Sequence, residues 1–314
     1  MFDFLTRIAE AKARPAVRDL TAESITDAVL AQMSATPDPR LKQIMESLVH
    51  HLHGFARDVS LTPDEWLKAI GFLTRVGQTC TPARQEFILL SDVIGLSALV
   101  NLLHDKTAVE LGTESSLLGP FYQQDAPALV VGESIDVTGE GPPLLVYGQV
   151  MDRMGIPVPH ASVQVWQTDA DGEYDLQKSD GAPMNMRGNF RCDAGGHFHF
   201  RTVMPLGYGI PMDGPVGQLI RAQCRHGRRP AHIHFLIGAE GFRELVTAIY
   251  IADDPHIDSD EVFGVSNALV VTPRERDPDA PIHGMPVIAY DFRLAVASGD
   301  DTGRVGADPS QLSR

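Results

Sequence analysis

The hydrophobic pattern of this chain changes period once, and that change constrains the fold more than any other feature. Up to about residue 104, apolar residues recur every three to four positions; from about Leu129 they alternate. In the first part, Thr21 can cap a helix running to about Ala35, which Pro37 and Pro39 end. A second helix is expected over 41–58, with Leu41, Ile44, Met45, Leu48, Leu52 and Phe55 at helical spacing. Neighbouring His50, His51 and His53 on it point in different directions, which fits a solvated face better than a shared metal. Thr62-Pro63-Asp64-Glu65 combines an N-cap, a first-turn proline and an acid at the third position, a strong helix start. A further helix is expected from Thr81-Pro82 to Leu103, apolar on more than one side and so buried, within the chain or against a second copy.

In the alternating part, 144–151, 162–168, 197–203, 231–237, 246–251 and 287–296 read as strands, punctuated by glycine and proline. Short strands with such turns indicate an antiparallel β-sandwich. The expected class is therefore α+β: an N-terminal helical domain with its linker over 1–112, a β-sandwich catalytic domain over 113–297, and a loosely ordered tail over 298–314.

With 43% hydrophobic residues in 314, a full core needs no staples. A net charge of −15 and no long basic run argue against nucleic acid, and no apolar stretch is long enough to span a bilayer. Cys80, Cys192 and Cys224 have neither disulfide-framework nor metal-site spacing, which suits a reducing cytoplasm.

The chemistry is concentrated in Arg229-Pro230-Ala231-His232-Ile233-His234-Phe235. On a strand, His232 and His234 project together while Ile233 and Phe235 face the other way. Two adjacent imidazoles are half of a metal site. His197-Phe198-His199 offers the same geometry, and spacing alone does not separate the two pairs. Two tyrosines lie in suggestive loops: Tyr174 in Asp171-Gly172-Glu173-Tyr174, and Tyr208 between Gly207 and Gly209, where the backbone can bend and approach another group closely.

Asp-Gly-x-Tyr, then Pro-x-Gly-Tyr-Gly, then Arg-Pro-Ala-His-x-His-Phe, in that order, resembles the intradiol ring-cleavage dioxygenases over roughly residues 20 to 297. The resemblance implies a non-haem iron(III) cofactor held by Tyr174, Tyr208, His232 and His234, with His197 and His199 structural. Phenolate oxygen suits this hard cation, whereas an iron(II) oxygenase normally has two histidines and one carboxylate. It further implies that an aromatic diol or triol binds as a dianion, that Tyr208 departs and takes up a proton, and that dioxygen cleaves the ring between the two hydroxyl carbons to a cis,cis-muconate. Arg229 is implied as the catalytic cation that stabilises negative charge on the ring. Where many catechol enzymes carry a glutamine, this chain has Ala248, which removes a hydrogen-bonding partner.

The segments 87–95, 113–121 and 258–264 are more similar to the hydroxyquinol branch than to the catechol branch, with catechol or chlorocatechol cleavage as the alternative. Asp92 is then expected to accept a hydrogen bond from a third ring hydroxyl, with Leu89, Leu118, Gly119, Pro120, Ile210, Pro211 and Val262 completing the pocket. The family also implies a homodimer through the N-terminal helices, sometimes with bound lipid. Two other classes fit parts of the pattern: a zinc hydrolase using a His-x-His pair, and a non-catalytic sandwich acting as a carrier.

Overall fold

The computed structural model describes residues 17–81, 84–105, 112–178 and 183–297. Pro82 of the expected helix start and the expected tail over 298–314 lie outside them. The chain divides into two compact units between Leu73 and Thr74.

The first unit holds α1 (Ile25–Gln32), α2 (Pro39–Asp58) and most of α3 (Pro63–Thr79). Asp38 caps α2 by accepting from the amides of Arg40 and Leu41, directly before Pro39. Thr62 and Glu65 close a reciprocal capping box on α3. Helix α1 starts later than Thr21, whose hydroxyl instead accepts from the Ser24 amide in the turn ahead of it. Arg57 donates to the Ala22 carbonyl and the Thr26 hydroxyl, and His53 also meets Thr26.

In the second unit the single helix expected up to Leu103 is two, α4 (Glu86–Val93) and α5 (Leu96–Asp105), bent by 72°. The break falls at Gly95, whose φ of +75° is left-handed and open to glycine at no steric cost. The bend also settles its burial: Leu89 and Val93 are buried, while Phe87, Ile94, Leu99 and Leu102 stay exposed.

The strands are β1 (Pro143–Asp152), β2 (Ser162–Gln167), β3 (Arg187–Arg191), β4 (His197–Val203), β5 (Tyr208–Gly209), β6 (Arg228–Arg229), β7 (His232–Gly238), β8 (Leu245–Ile251), β9 (Val270–Val271), β10 (Val287–Ala289) and β11 (Phe292–Leu294). One sheet has the order β3-β2-β7-β8-β9; the other is β10-β1-β11 with β4 also on β1; β5 and β6 form a short ribbon. The long ladders are antiparallel, and the short strands β9, β10 and β11 add in parallel. Apolar residues of both sheets meet in one core, among them Val146, Phe198, Phe200 and Phe292 from one, and Val163, Phe190, Ile233, Phe235 and Ile249 from the other. Helix α6 (Pro215–Ala222) follows β5 and buries Val216 and Ile220.

Among the described residues no single helix is long and apolar enough to cross a membrane.

Candidate metal centre

Strand β7 is buried along nearly its whole length, because both of its faces are covered. Ile233 and Phe235 enter the core, and His232 and His234 point to the opposite side. Each imidazole has an aromatic neighbour paired with it across the ladder. Trp166 of β2 stacks on His234 at 4.8 Å and 7°, and Tyr250 of β8 lies 5.4 Å from His232.

The tyrosines arrive from two loops. Tyr174 opens a 3-10 turn after β2 and is anchored from both sides by Arg187 of β3. That guanidinium pairs with the buried carboxylate of Asp175 and donates to the carbonyl of Phe121, whose ring stacks on Tyr174 at 4.2 Å. Tyr208 sits on β5, opposite Arg229 of β6. Gly207 is needed here for close approach: a Cβ would lie 2.7 Å from the Arg229 carbonyl.

The four side chains converge. Nε2 of His232 is 3.0 Å from Nε2 of His234 and 3.4 Å from the Tyr174 hydroxyl, and the Tyr208 ring stands edge-on to Tyr174 at 5.3 Å. Nδ1 of His232 donates to the Pro230 carbonyl at 2.6 Å, which leaves its Nε2 lone pair facing inward. Burial, then the Arg229 charge, pushes His232 down to about 3, and burial drives His234 well below the usual imidazole range. Both imidazoles are therefore neutral at physiological pH, the form in which an imidazole can bind a metal. At 3.0 Å the two Nε2 atoms are close enough to share one hydrogen bond or to meet on one cation. Burial raises the phenols of Tyr174 and Tyr208, so a bound cation is needed to draw off their protons. Two phenols and two neutral imidazoles fit a hard trivalent ion. Among the described residues no group of three His, Cys, Asp or Glu side chains converges in a way that could hold a metal.

Beside this cluster, Arg229 is buried against Asp260, Nε to Oδ1 at 3.1 Å. Burial alone would raise the Asp260 carboxyl, but the Arg229 charge and the Gly264 amide outweigh it and hold it low. A narrow cavity opens onto Tyr208 and Arg229. Of the expected wall residues, Leu89, Asp92, Gly119, Pro120, Ile210, Pro211 and Val262 line it. Leu118 does not: Leu117 and Phe121 do, and Leu117 is buried where Leu118 is only half-buried. Burial pushes Asp92 up to about 6, against a hydrogen bond from Ser97. His197 is exposed, and His199 lies outside the cluster on β4. A larger cavity of about 790 Å³ lies beside α5 and contains none of the four donors.

Sequence reasoning passed over Phe121, Asp175, Arg187, Tyr250 and any role for Asp260. Tyr250 was within reach, since it shares a strand face with Ala248 and so with the histidines opposite.

A helical segment leads to a two-sheet sandwich, and phenols from two loops meet the imidazoles of β7, a donor set suited to a non-haem metal. The family models agree: residues 38–112 match the catechol dioxygenase N terminus and 117–296 the dioxygenase domain. The chain belongs to the intradiol ring-cleavage dioxygenase family. It is 46% identical over 254 residues to a 6-chlorohydroxyquinol 1,2-dioxygenase of Cupriavidus pinatubonensis, covering 81% of this chain and 92% of that protein. It is 35% identical over 296 residues to a catechol 1,2-dioxygenase of Candida albicans, covering 92% and 98%. The crystal structure of a hydroxyquinol 1,2-dioxygenase from Pseudomonas putida superposes with a TM-score of 0.81 at 43% identity, covering 88% of this chain and 99% of the other.

Proposed function

We propose that the chain cleaves hydroxyquinol, 1,2,4-trihydroxybenzene, between its adjacent hydroxyl carbons. Both atoms of dioxygen enter the product, 3-hydroxy-cis,cis-muconate, which tautomerises to maleylacetate. The observation that carries this reading is the meeting of two buried phenols and two neutral imidazoles beside a cavity that holds both Arg229 and Asp92. Tyr174, Tyr208, His232 and His234 would hold iron(III). The ion would anchor two adjacent ring oxygens and draw electron density from the ring, opening it to dioxygen.

The chain's own groups do the rest. Tyr208 Oη accepts one of the substrate's hydroxyl protons. Arg229, whose charge persists when buried, stabilises negative charge spreading into the ring. Asp92 accepts from the third hydroxyl, a bond that a plain catechol leaves unmade. The walls from Leu89, Ile210, Pro211 and Val262 keep water away. Higher identity to relatives named for hydroxyquinol than to the one named for catechol supports the triol. Catechol or chlorocatechol cleavage to the corresponding muconate is the second reading.

The catalytic domain in this reading is 113–297, with Leu89 and Asp92 supplied from the helices before it. The exposed apolar residues of α2, Leu41, Ile44, Leu48, Leu52 and Phe55, support a homodimer through the N-terminal helices, with lipid held on the same face. All three cysteines are free, which fits the cytoplasm.

The test is a visible spectrum of the iron-loaded protein, recorded anaerobically before and after hydroxyquinol and then catechol. A red band that moves to longer wavelength, at lower concentrations of hydroxyquinol than of catechol, is expected. A protein that stays colourless after iron loading ends the iron reading and returns the zinc hydrolase and the carrier.

A further inference from the structure

Arg229 donates in three directions, and two are already taken. Nε and Nη2 meet Asp260 Oδ1 and Oδ2 at 3.1 and 3.3 Å, and Nη2 also meets the Tyr250 hydroxyl at 3.3 Å. Tyr250 Oη lies 2.7 Å from Ser116 Oγ, which in turn meets the Gly264 carbonyl at 3.2 Å. The Gly264 amide donates back to Asp260 Oδ2 at 2.9 Å.

The chemistry of the donors fixes the direction of every bond. A guanidinium only donates, so Tyr250 accepts from it and passes its own proton to Ser116. A carbonyl only accepts, so the Ser116 hydroxyl proton goes to Gly264. The chain closes through the Gly264 amide and Asp260 back to Arg229. Gly264 must be glycine: a Cβ there would lie 2.7 Å from Tyr250 Oη, 3.0 Å from Arg229 Nη2 and 3.1 Å from Asp260 Oδ2. Nη1 takes no part in this ring; it meets His232 Nε2 at 3.4 Å, on the side of the metal donors.

We propose that Tyr250, held by Ser116 and closed through Gly264 and Asp260, is a positioning residue that locks the Arg229 guanidinium so that Nη1 faces the bound ring. The ring of bonds uses up Nε and Nη2: Asp260 holds the fork at two points, and Tyr250 adds a third on Nη2 from another strand. Ala248, opposite His234, carries no polar group, so Tyr250 is the polar side chain that this face of β8 offers to the site. This proposal rests on the ring-cleavage reading.

The test is a double-mutant cycle on the iron-loaded, full-length protein, with kinetics on hydroxyquinol and anaerobic titration of its affinity. Tyr250→Phe is expected to lower kcat about tenfold, with the dissociation constant for hydroxyquinol within twofold of wild type. Ser116→Ala, which never touches Arg229, is expected to show the same split at smaller size. In an Arg229→Ala background, Tyr250→Phe is expected to change kcat by less than about twofold, because nothing remains to be positioned. A loss of equal size in both backgrounds overturns the proposal, and so does a kcat unchanged by both single substitutions. A wild-type protein inactive on every aromatic diol overturns the ring-cleavage reading instead.

Discussion

Strands β4 and β7 carry the same tripeptide pattern, His-x-His around an aromatic or aliphatic core residue, and become different things. On β4, Phe198 and Phe200 fill the core, while His197 lies in solvent beside Asp193. On β7, Ile233 and Phe235 fill the same core, yet His232 and His234 are as buried as they are. The inward faces are equivalent. The difference lies in what covers the other face: for β7, two tyrosine loops and the 116–121 stretch; for β4, little beyond the 130–135 turn. Burial strips water from the imidazoles and holds them neutral, the form a metal ligand needs. Exposure leaves His197 an ordinary surface group.

The sharpest way to break this contrast is to exchange the roles. His234→Ala is expected to reduce activity by more than the ~100-fold typical of losing a partner that merely supports a metal ligand, and to lower iron content. His199→Ala is expected to leave both nearly unchanged, as read by turnover and metal analysis. Equal losses at the two positions would dissolve the distinction.

Next in size is the ion pair on the covered face. Arg229→Ala strands the Asp260 carboxylate in the interior, and denaturant unfolding is expected to show a loss of about 3–5 kcal/mol. Asp213 is the exposed partner of Arg84, and Asp213→Ala is expected to cost less than about 1 kcal/mol.

Asp92 gives the contrast a pH dependence. Its folded value, about 6, stands above the ordinary 3.8, so the folded chain favours the protonated acid. That contribution is whole below about pH 4 and is lost as pH rises through about 6. Asp92→Asn is therefore expected to be more stable than wild type at pH 8, by on the order of 2–3 kcal/mol, with the gain gone by about pH 4. Asp92→Ala is expected to narrow the kcat/KM preference for hydroxyquinol over catechol by roughly 10–100-fold, the worth of a hydrogen bond to a charged acceptor. The smallest effect belongs to the open face: His197→Gln is expected to shift stability by no more than about 0.5 kcal/mol.

The period change made the helical first part and the long strands legible, because apolar spacing reports directly which faces are buried. Strand β3 escaped because Arg187-Gly188-Asn189-Phe190-Arg191 has no β-branched residue and contains a glycine. Helix α6 escaped because it is short, although Pro215 with Val216, Leu219 and Ile220 carries a first-turn proline and a helical repeat. The break at Gly95 turned one expected helix into two. At the centre, resemblance named the four converging donors, and alternation alone left His197 and His199 equal candidates. Asp260, Ser116 and Tyr250 come from three distant segments, and nothing local in any of them says that their polar atoms meet.

That meeting has a consequence for solution work. The Gly264 amide lies in a loop, where backbone protons normally trade with solvent quickly. Here it can open only if its bond to Asp260 breaks. Its hydrogen-exchange protection should approach that of the β7 strand amides and collapse when the Tyr250 hydroxyl is removed. One backbone proton thereby becomes a colourless gauge of how firmly Arg229 is held, readable without substrate or turnover.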